Sequence, residues 1–277
     1  MRRIVLMLLL AIAALSSIAL AEEGEISFWD VIEFDPSLAI EAEPLYTEEP
    51  ADTPDIAEEK PVSTPREDFI ERIISYGHEL YIKADGKAQR AWKKGDIYLC
   101  KNFTTHIFNE LRDDFCMAEF PDVKLRIPNN ITEADAKPYY KGVGWEEISA
   151  EKGNPFYEAA SFRYDTSLSK EENLKLAEDF MRQAQRGDFF QMNANYEYGT
   201  GPHSAIMMGY DAEKDEIHWM DSNMRGHSKT VNGERVRYGI CQFDEVRSVE
   251  WWASTFCHKK RGATLYRLRE DIAYRED

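Results

Sequence analysis

Three stretches of the chain repeat apolar residues at the three- and four-residue spacing of an amphipathic helix. This pattern predicts helices over residues 66–81, 100–114 and 169–186. The third is the best marked, because Ser169 can cap its start, two glutamates follow in the first turn and Gly187 can end it. The second begins at Cys100, so this thiol is predicted to lie in the first turn of a helix.

After residue 187 the apolar residues form short runs that are typical of β-strands. Residues 188–192 predict one strand, and residues 201–223 (GPHSAIMMGYDAEKDEIHWMDSN) predict a hairpin around a polar turn at 211–215. Further elements are expected in the order irregular segment (224–237) with a turn at Asn232-Gly233, strand (238–243), partly helical segment (244–257) and closing strand (263–268). Helices followed by a run of antiparallel strands predict the α+β class.

The first 21 residues have the pattern of a secretory signal. Arg2 and Arg3 form a charged start, residues 4–15 an apolar core, and Ala19-Leu20-Ala21 a small-residue cleavage site. An uncleaved anchor is the alternative. We therefore expect the mature protein to be secreted, or to lie in the periplasm or cell envelope, without membrane insertion after cleavage.

Residues 22–66 differ in composition from the rest of the chain, with 14 acidic residues against Lys60 and Arg66 and six prolines. Self-repulsion and fixed proline angles predict a disordered leader. The whole chain carries −17, the first 21 residues +2 and the leader −12, which leaves −7 for residues 67–277. That charge argues against nucleic acid or an anionic membrane as the partner of the single domain expected there.

Cys100, Cys116, Cys241 and Cys257 are the four cysteines, an even number that is compatible with two disulfides in a secreted chain. If Cys100 is a working thiol, at most one pair forms among the other three, and we expect Cys241 with Cys257. No pair of cysteines has the C-x-x-C spacing of a zinc site. Neither a metal nor another cofactor is predicted.

Cys100, His203 and Asp221 occur in the order and settings that a nucleophilic cysteine site requires. A thiol pKa of about 8.5 can fall to roughly 3.5–7.5 at a helix start beside an imidazolium. The hairpin brings the imidazole at one of its outer ends next to the carboxylate at the other, with Asn223 two residues further on. A buried structural cysteine is the simpler alternative for Cys100 alone.

The same residues resemble the papain-like cysteine peptidases and amidases of the CHAP type (cysteine, histidine-dependent amidohydrolases/peptidases). The matching segments are 95–103, Gly187-Asp188, Gly201-Pro202-His203 and Asp221-Ser222-Asn223. The resemblance covers roughly residues 95–223. It implies an α+β papain-like fold, with an antiparallel half-barrel sheet packed on an N-terminal cysteine-bearing helix.

The resemblance also implies cleavage of amide bonds in peptides or peptidoglycan by a monomer, with Cys100, His203, Asp221 and Asn223 as the catalytic residues. No glutamine lies shortly before Cys100, so Tyr98, Gln191 and the backbone N–H of Cys100 are the candidate oxyanion donors. Two other functions stay open. One is a transglutaminase-like acyl transferase, which uses the same residue order, and the other is a catalytically silent surface binding module.

Overall fold

The computed structural model describes residues 63–88, 90–92, 96–127, 150–192, 203–258 and 262–276. The helices are α1 (Pro65–Lys83), α2 (Cys100–Leu111), α3 (Lys170–Met181) and α4 (Val249–Phe256), with 3₁₀ turns at Arg112–Asp114 and Ala150–Lys152. The strands are β1 (Arg90–Trp92), β2 (Phe115–Met117), β3 (Phe156–Arg163), β4 (Phe189–Met192), β5 (His203–Asp211), β6 (Glu216–Val231), β7 (Glu234–Ser248), β8 (Gly262–Leu268) and β9 (Ile272–Tyr274).

Seven of these strands form one antiparallel sheet in the order β1-β7-β6-β5-β4-β8-β3, and β2 pairs with β9 in a small second sheet. The α+β class with an antiparallel sheet is therefore confirmed. The central strands β4, β5 and β6 are the ones on which the sequence places candidate site residues.

The sheet has a hydrophobic core on each face because consecutive residues of its central strands are apolar. The first core contains Phe69 of α1, Phe103 of α2 and Ile206 of β5. The second core contains Trp252 of α4, with α3 residues and the two β5 neighbours of Ile206. Successive strand side chains point to opposite faces, so β5 contributes to both cores and its register is fixed from both sides.

Capping residues set the starts of two predicted helices. Thr64 and Glu67 form a capping box at α1, and Ser169 and Glu172 form another at α3, as the sequence predicts for Ser169. The α3 helix ends at Met181 rather than residue 186. Helix α2 begins at Cys100 as predicted, and its N-cap residue, Leu99, makes no side-chain capping hydrogen bond.

The prediction of an irregular segment over residues 224–237 is wrong, because β6 and β7 continue as a paired ladder to Val231 and Glu234. The predicted turn between them is confirmed. Asn232 and Gly233 have φ of 53° and 82°, the left-handed pair that a two-residue hairpin turn requires. The strand was missed because this segment is polar in sequence. Alternation of apolar residues indicates which side chains are buried, so a polar strand can pair through its backbone without showing that pattern.

All four cysteines are free thiols, which contradicts the expected pairing of Cys241 with Cys257. Cys241 belongs to the first core and Cys257 to the second, so the sheet lies between them. A disulfide needs Cα atoms within about 7 Å, which is less than the thickness of a sheet with a packed layer on each side.

The predicted signal and nearly all of the acidic leader lie outside the described residues. Within the described segments, none of the helices has the length and apolar character needed to cross a membrane. The described part of the chain thus carries the domain in which the candidate site is found.

Candidate active site

A tight turn around Asp96 delivers Cys100 to the start of α2. The Asp96 carboxylate accepts a hydrogen bond from Tyr98 N (3.0 Å), and its carbonyl accepts from Leu99 N (3.2 Å) and from the Asn102 side chain (2.9 Å). Cys100 is partly exposed, whereas the other three cysteines are buried. The first-turn N–H groups and the helix dipole favour negative charge at this position.

The β5–β6 hairpin brings His203 and Asp221 together as the sequence predicts. His203 Nε2 and Asp221 Oδ2 are 2.7 Å apart, and the two residues are only 2% and 1% exposed. A bulge between Trp219 and Asp221 interrupts the β6–β7 ladder just before the carboxylate. Within the described residues, Asp221 Oδ1 makes no hydrogen bond, so His203 is the partner on which this buried carboxylate depends.

Asn223 also reaches the imidazole, from the same side of β6 as Asp221. Its Nδ2 lies 3.4 Å from His203 Nδ1. Residues i and i+2 of a strand share a face, which explains how both side chains meet one ring. Asn223 is therefore placed where the sequence expects a second polar support for the base.

The Cys100 side chain lies close enough to the His203 imidazole to contribute to the rise in its pKa. Asp221 occupies Nε2, so Nδ1, which Asn223 also approaches, is the ring nitrogen that remains for the thiol. A carboxylate that accepts from Nε2–H fixes the tautomer whose Nδ1 lone pair can take the thiol proton. The three predicted residues are thus brought together in the order thiol, imidazole, carboxylate.

The pKa of His203 reflects these contacts. Burial lowers the pKa, but the hydrogen bond and charge of Asp221, together with the nearby Cys100 side chain, outweigh it and raise the pKa to about 9. The Asp221 contact therefore favours the protonated imidazole. Burial raises the pKa of the thiols of Cys116, of Cys257 and, to about 12, of Cys241.

The geometry does not favour Tyr98 as an oxyanion donor. Its hydroxyl already donates to the Leu80 carbonyl at 3.3 Å, so the hydrogen that an oxyanion would need is directed at α1. Its backbone carbonyl accepts from Ser222 Oγ at 2.6 Å. Tyr98 is held between α1 and β6 and acts as a structural residue here.

Gln191 supports the backbone of the base. Its Nε2 donates to the His203 carbonyl at 3.1 Å, and its Oε1 accepts from Ser204 Oγ at 2.6 Å. Gln191 is 3% exposed and pairs with Ser204 across β4 and β5. The backbone N–H of Cys100 at the α2 start stays a candidate oxyanion donor.

Ser222 lies within the Asp221-Ser222-Asn223 motif, but the sequence alone assigns it no role. The side chain is fully buried and connects β6 with the turn before Cys100. The sequence signal for such a role is its position between Asp221 and Asn223, which both face the imidazole. Because successive side chains of a strand alternate, Ser222 points to the opposite face of β6. Among the described residues, no group of three or more His, Cys, Asp and Glu side chains is arranged to hold a metal ion.

Comparisons of the chain with protein-family models, curated proteins and solved structures found no match. The class of protein that the described residues define is an α+β domain in which a hydrogen-bonded histidine–aspartate pair lies near a cysteine at a helix start.

Proposed function

We propose that this protein is a secreted cysteine hydrolase that cleaves amide bonds in peptides or peptidoglycan. One observation carries the proposal: a buried, hydrogen-bonded His203–Asp221 pair whose imidazole lies near the partly exposed Cys100 at a helix start. The order of the motifs, which is similar to that of the CHAP-type papain-like enzymes, supports the same class.

The proposed reaction has an acylation and a deacylation half. The Cys100 sulfur attacks the amide carbonyl, and the tetrahedral oxyanion is stabilised by backbone N–H groups of the first α2 turn. The His203 imidazolium gives its proton to the leaving amine as the C–N bond breaks, which leaves a thioester. Neutral His203 then takes a proton from water, and the resulting attack releases the acid and restores the thiol–imidazole pair.

Asp221 orients the ring throughout and stabilises the imidazolium without taking its proton. Asn223, close to Nδ1, limits rotation of the ring. These roles require the buried pair to stay intact while the exposed sulfur meets substrate.

The nucleophile is tested by labelling with iodoacetamide at pH 6 and mapping the modified residue by mass spectrometry. We expect Cys100 to react much faster than the other three cysteines, because burial raises the pKa of each of them. Labelling should vanish in Cys100→Ala and fall steeply in His203→Ala. Cys257→Ala, which removes a thiol in the second core, is the matched control.

Wild-type protein in which Cys100 reacts at pH 6 no faster than in His203→Ala would contradict the proposal. Hydrolysis of peptides and of peptidoglycan fragments is then followed by release of new amino groups. Incorporation of an added primary amine in place of water would indicate the transglutaminase-like alternative. Slow labelling of Cys100 at pH 6 together with neither product would favour the binding module.

A further inference from the structure

The nucleophile and its partners come from distant parts of the chain that pack against each other without a covalent link. Cys100 follows the Asp96 turn, whereas Asp221 and Asn223 lie on β6, and all four cysteines are free. An imidazole and a thiol interact productively only over a narrow range of distance and angle. Some contact must therefore set where the Asp96 turn sits relative to β6.

Ser222 makes that contact. Its Oγ donates to the Tyr98 carbonyl at 2.6 Å, and the side chain is fully buried. The Ile240 carbonyl on β7 lies within 3.3 Å of the same hydroxyl. A short hydrogen bond in a buried site is directional, and its loss leaves a carbonyl without its partner.

The bond is attached at both ends to rigid structure. Tyr98 is fixed to Asp96 through its N–H and to Leu80 of α1 through its hydroxyl. Ser222 lies between Asp221 and Asn223 on β6. Because side chains alternate along a strand, Ser222 points at the Asp96 turn, whereas Asp221 and Asn223 point at the imidazole. A displacement of Tyr98 relative to Ser222 would therefore move Cys100 relative to His203.

We propose that Ser222 is a positioning residue that aligns Cys100 with His203 through the Tyr98 carbonyl. The inference rests on the proposed function, because it concerns the thiol–imidazole pair on which that function depends. Ser222 touches neither the substrate nor the reacting atoms. Its effect is to hold the nucleophile's turn against the strand that carries the acid.

The test compares alkylation of Cys100 at pH 6 and at pH 9.5 in wild type, Ser222→Ala and Ser222→Thr. With the donor removed, we expect labelling at pH 6 to slow by roughly tenfold, the factor that corresponds to losing one buried hydrogen bond. At pH 9.5, where an ordinary thiol ionises unaided, the rates should agree within about twofold. Ser222→Thr keeps the hydroxyl and should label at the wild-type rate.

Thr255→Val is the matched control. Thr255 is buried in α4 and donates to the Trp252 carbonyl at 2.6 Å, so the variant loses a hydrogen bond of the same length that does not involve the Asp96 turn. Its labelling at both pH values should be unchanged, whatever its loss of stability. A drop in Thr255→Val equal to that in Ser222→Ala would overturn the inference.

Two other results would overturn it. In the first, Ser222→Ala labels like wild type at pH 6 while His203→Ala is slow, which leaves the proposed function standing. In the second, Ser222→Ala loses its far-ultraviolet circular dichroism spectrum, which would mean that the hydroxyl holds the whole fold. If His203→Ala and wild type label equally, the proposed function fails together with the inference.

Discussion

At the scale of residues, the site depends on a carboxylate that has one partner. Asp221 is buried, and within the described residues only its Oδ2 is hydrogen-bonded, to His203. A buried charge with a single partner costs much free energy when the partner is removed or neutralised. The histidine is therefore held in its charged form chiefly by the Asp221 carboxylate, against the effect of burial.

This pairing has a consequence for stability that depends on pH. The folded pKa of His203, about 9, lies above the ordinary value of 6.5, so the folded protein binds the proton more tightly. The resulting stabilisation is complete below pH 6.5 and is lost as the pH rises through about 9. The shift corresponds to a contribution on the order of 3 kcal/mol.

Asp221→Asn should remove this contribution. Burial would then lower the pKa of His203, so the difference in unfolding free energy between wild type and variant should be largest near pH 6 and shrink toward pH 9. Urea unfolding across this range measures the difference, and an NMR titration of the imidazole measures the pKa. A pKa that stays near 9 in the variant would show that Asp221 is not its cause.

At the scale of elements, a buried ion pair ties β4 to β8. Arg267 Nε and Nη2 each lie 2.7 Å from an oxygen of Asp188, whose side chain is fully buried. Burial raises the pKa of Asp188, although Arg267 and the Gln185 N–H oppose the rise. The carboxylate is therefore stable in its charged form only while the guanidinium is present.

Arg267→Met should consequently destabilise the protein by about 3–5 kcal/mol in urea unfolding at pH 7. Arg186→Met is the matched control, since its two-pronged pair with Glu71 has side chains that are 42% and 59% exposed. Loss of this exposed ion pair should lower the free energy of unfolding by less than about 1 kcal/mol. Equal effects of the two substitutions would contradict the role of burial.

The elements also show what the sequence could predict. The three helices and the β5–β6 hairpin were predictable because their apolar residues repeat with a clear period. Strand β3 gave no such signal, since six of its eight residues are partly buried or exposed at the sheet edge. Cys100, His203, Asp221 and Asn223 could be chosen from residue type and placement, whereas the link from Ser222 to Tyr98 depends on packing between segments far apart in the chain.

At the scale of the whole molecule, the described domain is built from two cores that the sheet separates. This arrangement explains why cysteine counting led to a wrong pairing, because the number and spacing of cysteines carry no information about the face on which each residue lies. The stability of the described domain therefore comes from packing and hydrogen bonds rather than from covalent links between elements.

The folded protein should be insensitive to reductant. We expect the unfolding midpoint in urea to be the same with and without dithiothreitol. Alkylation of the unfolded, unreduced protein should modify all four cysteines by mass spectrometry. A mass that corresponds to only two modified thiols would reveal a disulfide and contradict the free thiols of the structure.

The distance along the chain between the thiol and its base has a consequence during synthesis. About a hundred residues separate Cys100 from His203, and the carboxylate follows later still. Under the proposed function, a nascent chain on the ribosome therefore has no base beside Cys100 until the hairpin has emerged and paired. Reactivity of Cys100 toward neighbouring proteins would then arise only once most of the polypeptide has been made.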